Sequence, residues 1–341
     1  MKTYTEFAVE ESVKLLSIDS PTGYTEEAAS FVKEAFQKLG FPAKRTGKGG
    51  VLVELPGEGE GVLLEAHLDT LGGIVSEIKG NGRLKISPLG GLNANNVETE
   101  TCRVVTKFDG VFEGTCQLVD PSIHVNLEYS ATPRNFDTVE IVLDELVSSA
   151  EEVKKLGISV GDIVCFEPRT VVTKNGFIKS RFLDDKLSVG ILLGFAKYVR
   201  EKGGLKRKVY FHITTYEEVG HGGSASVPEG VVEAISVDMG CVGSKVTCTE
   251  RQVSICAKDS GGPYSYEVVK GLIAAAKREG ADYAVDVYPG YGSDVEATLR
   301  AGHDLKHGLI GAGVYASHGY ERSHKDGVEN TLKVLKGYLC E

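Results

Sequence analysis

The chain has 341 residues, 41% hydrophobic and 25% charged, which is ordinary globular composition on a length that suits one large α/β domain plus a smaller second unit. Its net charge of −10, with both signs dispersed, disfavours a nucleic-acid partner, because phosphate binding needs a clustered basic surface. No apolar run approaches the roughly 18 residues of a membrane span, and the N-terminus has neither the basic region nor the apolar core of a signal peptide.

In chain order, the first 40 or so residues read as two helices around the turn Asp19-Ser20-Pro21-Thr22-Gly23. In the second, Ala28, Phe31, Val32, Ala35, Phe36 and Leu39 form one helical face, with Thr25 at its start and Gly40 at its end. Strand-like segments follow at Val51 to Leu55 and Val62 to Ala66, the latter running directly into His67. From about residue 76 to 170 the pattern turns β-rich, with short strands at Leu84 to Ile86, Cys102 to Val105, Val125 to Leu127 and Val139 to Leu143. A short helix, Ala150 to Leu156, follows Ser148 and Ser149, and Val160 to Phe166 returns to strand. The α/β alternation then resumes. A helix is marked by Leu187, Ile191, Leu192, Phe195, Ala196 and Val199, and strands run over Val209 to Thr215 and Ala234 to Val237. A helix over Ser265 to Arg278, strands over Tyr283 to Tyr288 and Leu305 to Ile310, and a last helix through Val328, Leu332 and Leu335 complete the chain. This order predicts an α/β fold with a mixed, mostly parallel sheet sandwiched by helices, whose ligands bind at the strands' carboxyl ends. The expected catalytic domain is residues 1–75 and 172–341, interrupted by a small β-domain at 76–171.

Chemistry-bearing residues collect at those strand ends. His67-Leu68-Asp69 follows one strand, Glu217-Glu218 follows another, and Asp238 ends a third. Each alone has a plain reading. His67 could be a satisfied core or loop histidine, and Glu217-Glu218 a solvated turn. Asp184-Asp185 could cap the following helix, Asp238 could end a turn, and His324 could lie on the surface. Their weight comes from occurring together and in order. Seven cysteines, an odd number without CxxC spacing, fit free thiols in a reducing, cytoplasmic setting.

The order H-x-D … D-D … E-E … D … H resembles the co-catalytic di-metal aminopeptidases. Ala66-His67-Leu68-Asp69-Thr70-Leu71-Gly72, Phe182-Leu183-Asp184-Asp185-Lys186 and Glu217-Glu218-Val219-Gly220 resemble the glutamyl and tetrahedral (TET) aminopeptidases, a family also once described as glucanases. The resemblance implies a phosphorylase/hydrolase-like peptidase fold with an inserted small β-barrel used for assembly or as a lid. It implies two divalent ions per chain, zinc foremost, with cobalt or manganese as alternatives. Asp184 would bridge them, His67 and Asp238 would complete one site, and Glu218 and His324 the other. Asp69 would hydrogen-bond the second ring nitrogen of His67. Glu217 would be the general base toward a metal-bridging hydroxide. For the last ligand, proximity to the final helix favours His324 over His318. His318, His221 and Asp294 are candidate substrate-side residues; Asp294 could equally cap a helix. His124, His212, His303 and His307 read as structural. Thr70, His221 and Lys186 depart from the family pattern and leave substrate preference open.

The activity implied is removal of N-terminal residues from short peptides by a self-associating enzyme, a dimer or larger and in relatives a tetrahedral dodecamer. A metal-dependent deacylase or dipeptidase acting on a small amide is the alternative. A glucanase fits less well, because its two free carboxylates are here committed to metal. An inactive binding or assembly module would show a lost ligand or base, and none is lost.

Overall fold

The computed structural model describes residues 1–340, which fall into two compact units. One joins Met1–Asp69 to the chain from Arg169 onward; the other is Thr70–Pro168.

The larger unit is built on a 13-stranded mixed sheet. At its centre Lys208–Thr214, Gly61–His67, Val231–Val237 and Lys306–Tyr315 lie side by side and all run parallel. Antiparallel strands flank them: Val51–Leu55 and Ala43–Arg45 on one side, Glu321–His324, Phe177–Ser180 and Val171–Val172 on the other. The parallel character expected for the sheet is therefore confined to the middle and to lesser pairs such as Val253–Asp259 with Tyr283–Val287. Every residue of Gly61–His67 is buried, as a strand covered on both faces requires.

Helices Lys2–Leu16 and Leu183–Lys202 pack together closely. Gly190 permits this, since a β-carbon there would stand 2.6 Å from the carbonyl oxygen of Ala8 and overlap the Ser12 hydroxyl. The amphipathic helix Tyr266–Glu279 packs on the last helix, Lys325–Leu339.

The smaller unit closes into a six-stranded barrel of Gly72–Ile78, Leu84–Leu89, Thr101–Val105, Val111–Leu118, Val139–Leu143 and Ile163–Phe166. Alternating residues fill it, among them Val75, Ile86, Val104, Cys116, Ile141 and Val164. The strand expected at Val125 to Leu127 does not form. That segment runs in turns closed by the Ser122 carbonyl, which accepts from the N–H groups of Val125 and Asn126. Val125 and Leu127 stay exposed, so no cross-strand packing holds them extended. Among the described residues no helix is long and apolar enough to cross a membrane, and all seven cysteines are free thiols.

Candidate active site

The four central parallel strands point their carboxyl ends the same way. His67 is the last residue of Gly61–His67 and is in register with Thr214 on the neighbouring strand. Two residues beyond Thr214 the chain turns at Tyr216, with φ of 68°, into the 3-10 turn Glu217–Val219. Asp238 directly follows Val231–Val237. Lys306–Tyr315 runs on through Ala316 and His318, both with positive φ. Parallel register thus gathers Glu217, Glu218, His67, Asp238 and His318 at one rim. Asp184 arrives from the start of Leu183–Lys202, where the backbone of Asp184 and Asp185 is not yet helical. Phe182, Tyr216, Ala316 and His318 are all left-handed residues other than glycine, a conformation that costs about 1 kcal/mol or more each. Their concentration here marks a rim whose side-chain directions are imposed by the surrounding structure.

Asp184 sits between two imidazoles. Its Oδ1 lies 3.0 Å from His67 Nε2 and its Oδ2 3.5 Å from His318 Nε2. His318 Nε2 is also 3.7 Å from Glu218 Oε2. Donor atoms of His67, Asp184 and Glu218 lie within 4.8 Å of one another, as do those of His67, Asp185 and Asp238. Glu217 Oε2 stands 3.7 Å from His67 Nε2.

The Nδ1 of His67 lies 2.9 Å from the backbone carbonyl of Asp69. A carbonyl only accepts, so the proton belongs on Nδ1, which turns Nε2 toward the cluster as the ligating nitrogen. The Asp69 carboxylate, expected to make that contact, is farther at 3.7 Å. It accepts instead from Thr22 Oγ1 at 2.7 Å and from the N–H of Glu217 at 3.2 Å. Asp69 therefore braces the Glu217 turn as well as His67.

His324 does not join the cluster. It caps the last helix, its Nδ1 accepting from the N–H of Asp326 at 2.9 Å while Nε2 donates to the Asn175 carbonyl at 2.8 Å. Its ring stands edge-on to Phe177 at 4.8 Å. His324, expected as the last ligand, thus stands apart from the cluster, and His318 stands within it. The strand Glu321–His324 carries His324 away from the parallel rim although it lies next to the final helix.

Asp294 lines the cavity but faces inward. Ser293, not Asp294, holds the cap position of the helix Asp294–Arg300. The Asp294 carboxylate accepts from the N–H of Gly223 at 2.6 Å and from the Thr214 hydroxyl. Beneath it a buried group joins Glu65 to His212 at 3.3 Å and to Thr298 at 3.0 Å. His221 stacks on Tyr216 at 5.1 Å, is exposed, and stands outside the cluster. Two residues stand out that sequence reasoning missed. Glu321 accepts from the N–H groups of Asp184 and His318, and Asp185 accepts from the N–H of His67. The only signal for Asp185 was its place beside Asp184; Glu321 lay in a stretch that read as polar surface.

The electrostatics of the cluster suit bound cations. Burial and the Asp184 charge lift Asp238 to about 7. Burial, then Asp184, lifts Glu321 to about 8. Burial raises Glu217, Glu218 and Asp185 well above the carboxylate range, reinforced by Asp294, Asp184 and Asp238 respectively. Burial opposes charge on His67, but the hydrogen bond to Asp184 and the charges of Glu217, Asp184 and Asp238 lift it well above its usual value. One side oxygen of Asp185 is buried without a hydrogen-bond partner. Crowded carboxylates that protonate for want of compensation, an orphaned carboxylate oxygen and two imidazoles, with no thiolate among the donors, fit divalent metal ions.

A cavity of about 690 Å³ opens from the cluster. Asp184, Glu217, Glu218, Asp238 and His318 line it together with residues such as Tyr291 and Glu296.

The family model described as M42 glutamyl aminopeptidase matches residues 49–334. YhfE of Bacillus subtilis (strain 168) is 42% identical over 329 residues, covering 96% of this chain and 95% of its own. The aminopeptidase of the archaeon Desulfurococcus kamchatkensis superposes with a TM-score of 0.89 at 23% identity, covering 99% and 96% of the two chains. The TET1 peptidase of Pyrococcus horikoshii, described as assembling into a tetrahedron or a large octahedral shell, gives 0.86 at 23% identity over 98% and 99%.

Proposed function

Because the chain belongs to the M42 glutamyl aminopeptidase family and is a peptide hydrolase, we propose that its rim cluster holds two divalent ions and that it removes N-terminal residues from short peptides. The observation that carries the di-metal reading is Asp184, whose two oxygens each face an imidazole, His67 at 3.0 Å and His318 at 3.5 Å. A carboxylate so placed is suited to bridge. His67 and Asp238 would complete the set on one side, Glu218 and His318 on the other. Zinc fits this set foremost, with cobalt and manganese also suited.

The ions, when bound, supply the Lewis acidity that polarises a scissile carbonyl and acidifies a water. The chain's own groups do the rest. Glu217 is anchored through its N–H to Asp69, and its Oε2 reaches the cluster centre 3.7 Å from His67 Nε2. There it takes the proton of the attacking water and returns it to the leaving amine nitrogen. The carboxylate-rich rim attracts a free α-amine, and the cavity gives the first side chain room.

Glu217→Gln should retain both ions while kcat falls by about 10²–10⁴-fold. Unaltered kcat removes Glu217 as the base; a protein that takes up no metal removes the di-metal reading. Free and N-acetylated aminoacyl amides separate an aminopeptidase from a deacylase, since only the latter cleaves the blocked series.

The chain self-associates. The assembly described for the Pyrococcus TET1 peptidase supports this, as do Phe108, Leu127 and Leu146 of the barrel unit, each 90% or more exposed. Light scattering should give a dimer or larger, up to the dodecamer; a monomer alone is the contrary result.

A further inference from the structure

Glu321 lies on the short strand Glu321–His324, and its side chain is 2% exposed. Its Oε2 accepts from the backbone N–H of Asp184 at 3.1 Å, and its Oε1 from the backbone N–H of His318 at 2.9 Å. The two donors come from different parts of the fold, one the start of a helix and the other a loop beyond a strand. Their side chains meet at 3.5 Å, Asp184 Oδ2 to His318 Nε2. We propose that Glu321 is a positioning residue that fixes Asp184 and His318 against each other and so sets the affinity of the ion these two share with Glu218. The inference rests on the di-metal reading above.

The chemistry calls for a carboxylate. Two N–H groups converge on one side chain, so both of its terminal atoms must accept. Glutamine has nearly the same shape but replaces one acceptor with an NH₂ group, which would face a donor N–H. Glu321→Gln therefore breaks one of the two bonds without opening a cavity. His318 and Glu218 serve one ion only, whereas Asp184 serves both. The ion at Asp184, Glu218 and His318 depends on both bonded residues; the ion at His67 and Asp238 depends on one. The loss should be lopsided.

The test is zinc loading of metal-stripped wild type and Glu321→Gln across a buffered zinc series, read as ions per chain beside the melting temperature of the metal-free proteins. The expected result is two ions in wild type and, at the same free zinc, one in the variant. The second ion's affinity should fall about 10–100-fold, while the metal-free melting temperature drops by a few degrees at most, as loss of one buried hydrogen bond allows. Equal loading of both proteins, or equal weakening of both ions in the variant, overturns the proposal. If Glu321→Gln does not fold, Glu321→Asp is measured instead. It keeps two acceptors at shorter reach, so a smaller loss confined to the same ion is expected, and unchanged loading or equal weakening of both ions overturns the proposal. Wild type that binds no zinc refutes the di-metal site and the inference with it, an outcome distinct from a loaded wild type with an unaffected variant.

Discussion

Two histidines six positions apart take different places in the structure. His318 faces Asp184 and Glu218, whereas His324 caps a helix and bonds the Asn175 carbonyl. His318→Ala should therefore lose one ion per chain and most of its activity, with little change in metal-free stability. His324→Ala should keep both ions and lose about 1–2 kcal/mol, because the cap bond to Asp326 and the bond to Asn175 go together. Metal content and denaturant unfolding of the pair decide it, and the reverse pattern restores His324 as the ligand. Motif order alone could not separate them, since both stand in one polar stretch. What separates them is the direction of the backbone after Tyr315, with positive φ at Ala316 and His318, and no side-chain pattern encodes that. Asp69 teaches the same lesson. Its place two residues after His67 was legible, but that its backbone rather than its carboxylate would meet the ring was not.

At the scale of elements, the parallel strands ahead of His67, Glu217 and Asp238 were legible because they are largely buried and read as mostly apolar, β-branched runs. The strand Val253–Asp259 and the barrel strands Gly72–Ile78 and Val111–Leu118 were not, because glycine, serine, threonine and charged residues interrupt them and pairing partners hold them extended. Glu65 was the one polar residue in the run ahead of His67, and its reason is a buried bond to Thr298 and His212 across elements far apart in sequence. The helix Leu183–Lys202, whose first turn carries Asp184 and Asp185, packs closely on Lys2–Leu16. Gly190→Ala would push a methyl group into Ser12 and the Ala8 carbonyl, so the two helices must part. A loss of about 1–3 kcal/mol is expected. Calorimetry on Gly190→Ala and on Gly190→Ala with Ser12→Gly tests it. The double variant should recover only part of the loss, since the Ala8 carbonyl stays 2.6 Å from the added carbon. A wild-type melting temperature in the single variant contradicts the close approach.

Across the whole molecule, the rim makes stability depend jointly on pH and metal. In the metal-free fold Asp238 and Asp294 are pushed up to about 7, chiefly by burial, and Glu321 to about 8. In the unfolded chain such carboxyls ionise near pH 4, as model peptides do. Between these values the folded state binds more protons than the unfolded one. The contribution of these groups is therefore complete below about pH 4 and is lost as pH rises through 7 to 8. His67, raised well above its ordinary value, acts in the same direction, losing its contribution only as pH passes its folded value. Asp184 is shifted the other way, because burial is outweighed by hydrogen bonds from His318 and His67. Its contribution is lost only on acidification below about pH 4, so it does not offset the others. The chelated protein should melt progressively lower as pH rises from about 5.5 to 8.5. Zinc competes with the protons of Asp238 and His67 for the same oxygen and nitrogen atoms, so the rise in melting temperature it produces should grow over the same interval. Differential scanning calorimetry with excess chelator and with saturating zinc measures both slopes. A chelated melting temperature that is flat across the interval, or a zinc increment independent of pH, would show that the rim carboxylates are not the groups zinc displaces protons from.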